Sequence, residues 1–307
     1  LTVRHRLLGR SGLLVSEIGF GAASWWGMTR FSERDAAALV HAALDGGVTF
    51  FDTAPGYSRG EAEPRLGRAL KGCDTSRLVV ASKAGTFHAG GGRMGRDFSP
   101  AAIAASVERS LRNLGLDALG LLQLHGPAAA ELEDELVAAL QDLKRRGLVR
   151  GLGVNSFDPA VIEKALGLGV FDAVMIDYNV LRPEREPLIA RAAAAGVGVL
   201  AGMPLAMGHT GLKVAKLRGP RDLWYAARGL ARHRQEVLKG ARFGFLHRQD
   251  DLTGSQAALA YVLANPNVSC AVVGTTRMVH LRENLAASGR ELSPALMGRI
   301  RQAQGRG

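Results

Sequence analysis

The chain has 307 residues, of which 47% are hydrophobic and 22% charged, enough apolar material for a large core and too much for a disordered chain. A net charge of +11 favours anionic partners, but the arginines are dispersed and no lysine-rich tract or nucleic-acid module is present, so nucleic acid is not an expected partner. No run reaches the ~18 apolar residues of a bilayer span and no signal-peptide core opens the sequence, which leads us to expect a cytoplasmic protein with no membrane partner.

From the N-terminus, residues 5–8 and 13–15 read as a short hairpin around Gly9-Arg10-Ser11-Gly12, of a size to plug one end of a larger body. Short β-branched runs follow at 15–21, 48–52, 78–82, 118–124, 149–154, 173–176, 197–201 and 270–273. Between them lie Ala/Leu-rich amphipathic stretches, including Glu33–Asp45, Pro100–Leu114, 132–146, Pro159–Leu168 and 184–195. Ser32 and Ser99-Pro100 are helix starts, and Gly46, Gly115, Gly147 and Gly196 are helix stops. Residues 88–97, with Gly90-Gly91-Gly92, read as a loop. Residues 203–252, basic and with a helical stretch at 223–238, read as a long cover over a ligand. The two cysteines, Cys73 and Cys270, have no metal or redox spacing and read as small buried hydrophobes.

Eight strands alternating with helices fit an open doubly wound sheet or a closed barrel. Strand number favours a single (β/α)8 barrel domain over residues 1–307. So do Asp52, Lys83, His125 and Asn155, which end four different strands: a barrel gathers such ends at one mouth, whereas an open sheet spreads them along an edge.

The segment Phe51-Asp52-Thr53-Ala54-Pro55-Gly56-Tyr57 sets a carboxylate at a strand end and a tyrosine after a Pro-Gly turn. Ser82-Lys83 ends the next strand and His125 the one after. A free phenol, with a pKa near ~10, exchanges protons poorly at neutral pH, and an adjacent ammonium favours its phenolate form. Asp52 would hold Lys83 charged, His125 would orient a substrate oxygen, and Tyr57 would act as general acid toward a developing alkoxide. Each residue alone also has an ordinary structural reading, as cap, solvated charge or packing group; their convergence is what points to chemistry. The run Gly19-Phe20-Gly21-Ala22-Ala23-Ser24 lacks the third glycine of a dinucleotide fingerprint; Gly21 reads instead as a place of close ligand approach. Trp25 and Trp26 read as an apolar substrate wall, or as packing against the rim.

These motifs resemble the aldo-keto reductase family over nearly the whole chain, through Ile18-Gly19-Phe20-Gly21, Phe51–Tyr57, Val79–Lys83, Leu121–His125, Gly151–Phe157 and Gly274–Asn284. The resemblance implies a catalytic tetrad of Asp52, Tyr57, Lys83 and His125, with NADPH, or alternatively NADH, lying extended across the barrel mouth. Asn155-Ser156 resembles the motif that holds the nicotinamide carboxamide, in reversed order. Met175 stands where the family usually has Gln. The segment Ala201-Gly202-Met203-Pro204-Leu205 lacks the aromatic residue that often stacks on the nicotinamide, so Met203 is a candidate to pack there. Gly274, Thr275, Thr276 and Arg277, with His280, Glu283 and Asn284, match the adenosine-binding stretch; the usual Lys is Gly274 and a common Arg is His280. Backbone N–H groups at such a helix start bind phosphate, and Arg277 would contact a 2′-phosphate. The implied reaction is hydride transfer to a small-molecule aldehyde or ketone. A C=N reductase, a sugar lactol dehydrogenase and a cofactor-binding regulatory subunit with little turnover remain alternatives, and the oligomeric state stays open.

Overall fold

The computed structural model describes residues 2–90, 93–208 and 238–305. An antiparallel hairpin of β1 (His5–Leu7) and β2 (Leu14–Ser16) precedes the first barrel strands, β3 (Ile18–Gly21), β4 (Phe50–Asp52) and β5 (Val79–Ala84). A second hairpin, β6 (Thr86–His88) and β7 (Met94–Arg96), interrupts the series. It resumes with β8 (Leu121–His125), β9 (Leu152–Asn155), β10 (Ala173–Asp177), β11 (Gly198–Gly202) and β12 (Val268–Val273). The eight parallel strands close into a barrel in which β12 pairs with β3. This is the expected (β/α)8 architecture. Among the described residues, no helix is long and apolar enough to cross a membrane.

Helix boundaries follow local chemistry. Ser32 and Ser99 accept hydrogen bonds from the backbone N–H groups of Asp35 and Ala102, and Asp158 does the same for Ala160 at the start of Pro159–Leu168. Gly115 and Gly169 end their helices in the left-handed conformation. Two other helices are shorter than expected, Asp134–Arg145 and Glu186–Ala194.

Several strands differ from expectation for physical reasons. Residues 15–21 are not one strand, because the chain bends at Ser16-Glu17. The Ser16 hydroxyl donates to Ile18 O and accepts from Thr49 N, while the buried Glu17 carboxylate is held by Arg6, Ser288 and the N–H of Gly289. β5, β8, β9 and β10 run on through Lys83, His125, Asn155 and Asp177, since ladder pairing belongs to the backbone and does not stop where the apolar run stops. The segment 88–97 is not simply a loop, because its flanks pair as β6 and β7, with the Phe87 ring lying over Gly95. The stretch 223–238 falls almost entirely outside the described residues.

The first hairpin closes the barrel's lower end, as its size suggested. Leu8, Leu13 and Val15 are buried inside with Phe50, Leu121 and Leu200. Gly9 is required at the contact: its φ is +54°, and a Cβ there would lie 2.3 Å from Gly198 N. A larger apolar layer fills the space between strands and helices. With the bottom closed, the strands' C-terminal ends are left as the open face.

Candidate active site

The chemistry-bearing side chains rise from that open face. Asp52 ends β4, Lys83 lies one residue before the end of β5, and His125 ends β8. The Lys83 ammonium is fully buried and donates to both oxygens of Asp52, at 2.8 and 2.7 Å, and to Thr53 O at 3.0 Å. It stands 4.8 Å from the centre of the Tyr57 ring, and that ring meets the His125 imidazole edge-on at 5.7 Å between centroids. The structure thus brings together all four residues expected from the sequence to act as one unit.

The turn that carries Tyr57 is strained. Ser58 and Arg59, neither of them glycine, have φ values of +55° and +62°. Such conformations cost on the order of 1–3 kcal/mol each and persist only where surrounding structure enforces them. Gly27 supplies part of that enforcement, since its missing side chain lets Ser58 pack against its backbone; a Cβ there would lie 2.3 Å from Ser58 Oγ.

Opposing effects set the charge states. Burial acts to lower the Lys83 pKa, but the Asp52 charge, with Tyr57 and the hydrogen bonds to both, outweighs it and leaves the pKa raised. Lys83 is therefore a fixed cation beneath the Tyr57 ring. Burial and the nearby Lys83 charge push His125 down to about 4, so its imidazole is neutral at physiological pH. Its Nδ1 lies 2.6 Å from Thr86 Oγ1, and among the described residues Nε2 has no protein partner.

Above this group opens a cleft of about 600 Å³, lined on one side by Trp25, Asp52, Tyr57 and His125 and on the other by Asn155, Phe157, Met175, Gly202 and Met203. A second cavity of about 520 Å³ holds Pro204, Leu205, His280, Glu283 and Asn284. The two share Met203, Val272, Gly274 and Thr275, so together they form one long groove across the mouth. Gly21 and Gly274 approach so closely that a Cβ on Gly274 would lie 2.9 Å from Gly21 O.

The remaining expected residues divide. Asn155 lines the cleft with Nδ2 directed at Met175 Sδ, and Thr276 lines it near Gly274. Ser156 does not join them: it is buried, and its hydroxyl accepts from the N–H of Asp158 at the next helix start. Both tryptophans line the cleft, but Trp25 is 48% exposed, whereas Trp26 is 1% exposed, packs edge-on against Phe20 and donates from Nε1 to Ala36 O. Of the two tryptophans, then, Trp25 has the wall position and Trp26 is chiefly core. Arg277 is exposed at the N-cap of the helix Met278–Leu285 and lines neither cavity. Cys270 is buried as expected; Cys73 is partly exposed.

Three contributors were missed from the sequence. Gln123 is fully buried two residues before His125, and its Nε2 donates to Asp52 Oδ1 at 2.9 Å. A lone amide inside the apolar run Leu121–Leu124, on the same strand face as His125, was the available signal. Thr86 opens β6 and gave none. Phe157 stands 41% exposed in the cleft, and its carbonyl accepts from Arg185 at 2.8 Å.

A closed (β/α)8 barrel with a buried Lys-Asp pair under a tyrosine, at the head of a long groove, defines an oxidoreductase-type mouth. The aldo/keto reductase family model matches residues 17–304, and the chain belongs to that family. It is 31% identical over 299 residues to L-galactose dehydrogenase of Arabidopsis thaliana, covering 93% of this chain and 88% of the relative. It is 28% identical over 320 residues to D-threo-aldose 1-dehydrogenase of a Pseudomonas species, covering 96% and 95%. The solved holo form of aldo-keto reductase AKR11C1 from Bacillus halodurans superposes with a TM-score of 0.80 at 27% identity, covering 99% of this chain and 97% of that one.

Proposed function

We propose that the protein is an NADPH-dependent oxidoreductase that reduces an aldehyde or ketone to the alcohol, with NADH as the alternative cofactor and Tyr57 as the proton donor. The observation that carries this reading is the buried Lys83–Asp52 pair set 4.8 Å from the Tyr57 ring centre, with neutral His125 edge-on to the same ring. The long groove suits an extended dinucleotide. Its backbone at Gly21 and Gly274 is open where a side chain would intrude, and Glu283 and Asn284 stand at its far end. Gly274, Thr275 and Thr276, leading into the helix Met278–Leu285, would hold phosphate through backbone N–H groups. Asn155 would meet the carboxamide, and Met203, Pro204 and Leu205 would line the groove between the two ends.

A reduced nicotinamide held by these residues would supply the hydride that the carbonyl carbon accepts. Tyr57 donates its proton to the carbonyl oxygen as negative charge develops on it. The Lys83 ammonium stabilises the resulting phenolate, which regains its proton from solvent. Asp52 holds Lys83 in place and charged, and Gln123 fixes one Asp52 oxygen. His125 stays neutral, so Nε2 can hydrogen-bond the carbonyl oxygen without taking the proton first. Trp25 forms the apolar wall on the substrate side.

The reverse reaction, oxidation of a sugar lactol, is the second reading. The dehydrogenase activities for which the plant and Pseudomonas relatives are named favour it, and the same groups would run it with Tyr57 as base. Fluorescence titration with NADPH and NADH, followed by parallel panels of carbonyls and aldoses, separates the directions. Tyr57→Phe is expected to lower kcat about 10²- to 10⁴-fold while leaving cofactor Kd within about twofold, the range of a lost general acid. Unchanged kcat in that variant refutes the mechanism.

A further inference from the structure

We infer that Phe157 is the aromatic platform against which the nicotinamide ring lies, and that Gly202 is the position that makes room for it; this rests on the cofactor reading above. Position 202 ends β11 and faces the cleft without a side chain. The space beside it belongs to Phe157, whose Cε1 would lie 3.4 Å from a Cβ built at Gly202, with Met175 Cγ at the same distance. Alanine would fit there at ordinary van der Waals contact. Anything larger would have to push the phenyl ring or Met175 away.

Phe157 has the two properties such a platform needs. One is exposure at the right place: the ring is 41% exposed within a concave cleft that Asn155, Met175 and Met203 also line, the mostly apolar lining with a few polar groups that ligand pockets show. The other is rigidity. Arg185 donates from Nη2 to Phe157 O at 2.8 Å and from Nε to Asp177 Oδ1 at 2.8 Å, and Asp177, 2% exposed, ends β10. This buried ion pair ties the turn after β9 to the barrel wall. The ring-binding half of the groove thus draws its aromatic face from the turn after β9, and β11 contributes only an open backbone.

Two ligands separate this role from a general packing role: NADPH, which carries the nicotinamide, and 2′,5′-ADP, which does not. Phe157→Ala is expected to raise the fluorescence Kd for NADPH about five- to tenfold, the scale of a lost aromatic contact, and to leave the Kd for 2′,5′-ADP within twofold. Phe157→Tyr is expected to restore wild-type binding. Gly202→Leu, which displaces the ring, should reproduce the loss, and Gly202→Ala, whose Cβ only reaches contact distance, should show a smaller one. Circular dichroism on each variant controls for folding, and the Gly202 pair tests the idea even where Phe157→Ala is poorly folded. Equal affinity for NADPH in wild type and Phe157→Ala overturns the inference, as does an equal loss for both ligands. Failure of wild type to bind NADPH or NADH at all overturns the cofactor reading, and this inference with it.

Discussion

On β4, β5 and β8 the cleft wall carries a buried cation, a buried carboxylate and a buried amide, all joined by hydrogen bonds of 2.7–2.9 Å. From β9 to β12 it carries Phe157, Met175, Gly202, Met203 and Val272, with Asn155, Thr275 and Thr276 as its uncharged polar side chains. The first wall is organised by charge: its cation and carboxylate are paired before any ligand arrives, so the electrostatic field at Tyr57 is preset. The second is organised by shape, through where side chains are present and where they are missing. A wall built on charge should fail abruptly when one partner is removed, and a wall built on shape should degrade by degrees.

The largest expected effect is on stability. Lys83→Met leaves Asp52 buried with only Gln123 to satisfy it, and removing one member of a buried pair costs about 3–5 kcal/mol. Urea unfolding should show that loss, and Lys83→Met paired with Asp52→Asn should recover part of it. A loss below about 1 kcal/mol in the single variant would mean that water reaches Asp52 and that the first wall is not preset.

His125 gives the next effect, with a sign that can be worked out. Its folded pKa of about 4 lies below the ordinary 6.5, because burial and the Lys83 charge oppose protonation. The unfolded chain therefore takes up a proton near pH 6.5 that the folded chain refuses until about pH 4. Stability is unaffected by this group above pH 6.5 and falls as pH drops toward 4, by about 3 kcal/mol in all. Unfolding of wild type and His125→Asn across pH 7 to 4 should show the steeper decline in wild type. Identical slopes would remove the neutral histidine from the mechanism.

Gln123→Leu should do less. It deletes a hydrogen bond to a carboxylate, but it also deletes Gln123 Oε1, which is buried without a partner. The two changes oppose each other, so a net loss of about 1 kcal/mol is expected, with a clearer fall in kcat than in KM as Asp52 loses its orientation.

The two walls were unequally legible in the sequence, for the same reason that they differ in physics. Asp52, Lys83 and His125 are polar residues at the ends of apolar runs, and Tyr57 follows a Pro-Gly turn; one-dimensional pattern marks all four. Gln123 sits inside such a run and was absorbed into it. Thr86 starts a hairpin that the neighbouring glycines disguised as a loop. Phe157 gains meaning only from Gly202, 45 positions later, and no local rule connects an aromatic residue with a missing side chain on another strand. Ser156, beside Asn155, looks like a ligand group in the sequence, and the structure adds a second task, since its hydroxyl accepts from the N–H of Asp158 at the adjacent helix start. The fold was more legible than either wall, because strand alternation and serine, proline and glycine punctuation are local properties.

The far end of the groove gives the smallest expected effect and the sharpest question about cofactor choice. Arg277 precedes the helix Met278–Leu285, is exposed, and has its N–H held by Thr275 Oγ1 at 3.1 Å. An exposed guanidinium gains at most about 1 kcal/mol from a single anionic partner. Arg277→Ala should therefore raise the Kd for NADPH by about three- to fivefold, leave NADH unchanged, and lose its effect in high salt, where exposed charge pairs are screened. A larger, salt-resistant loss would require Arg277 to be buried by the bound cofactor, making this end of the groove a third preset electrostatic element. Equal effects on NADPH and NADH would separate Arg277 from the 2′-phosphate, and any preference for NADPH would then have to come from His280 or from the backbone at Thr275 and Thr276.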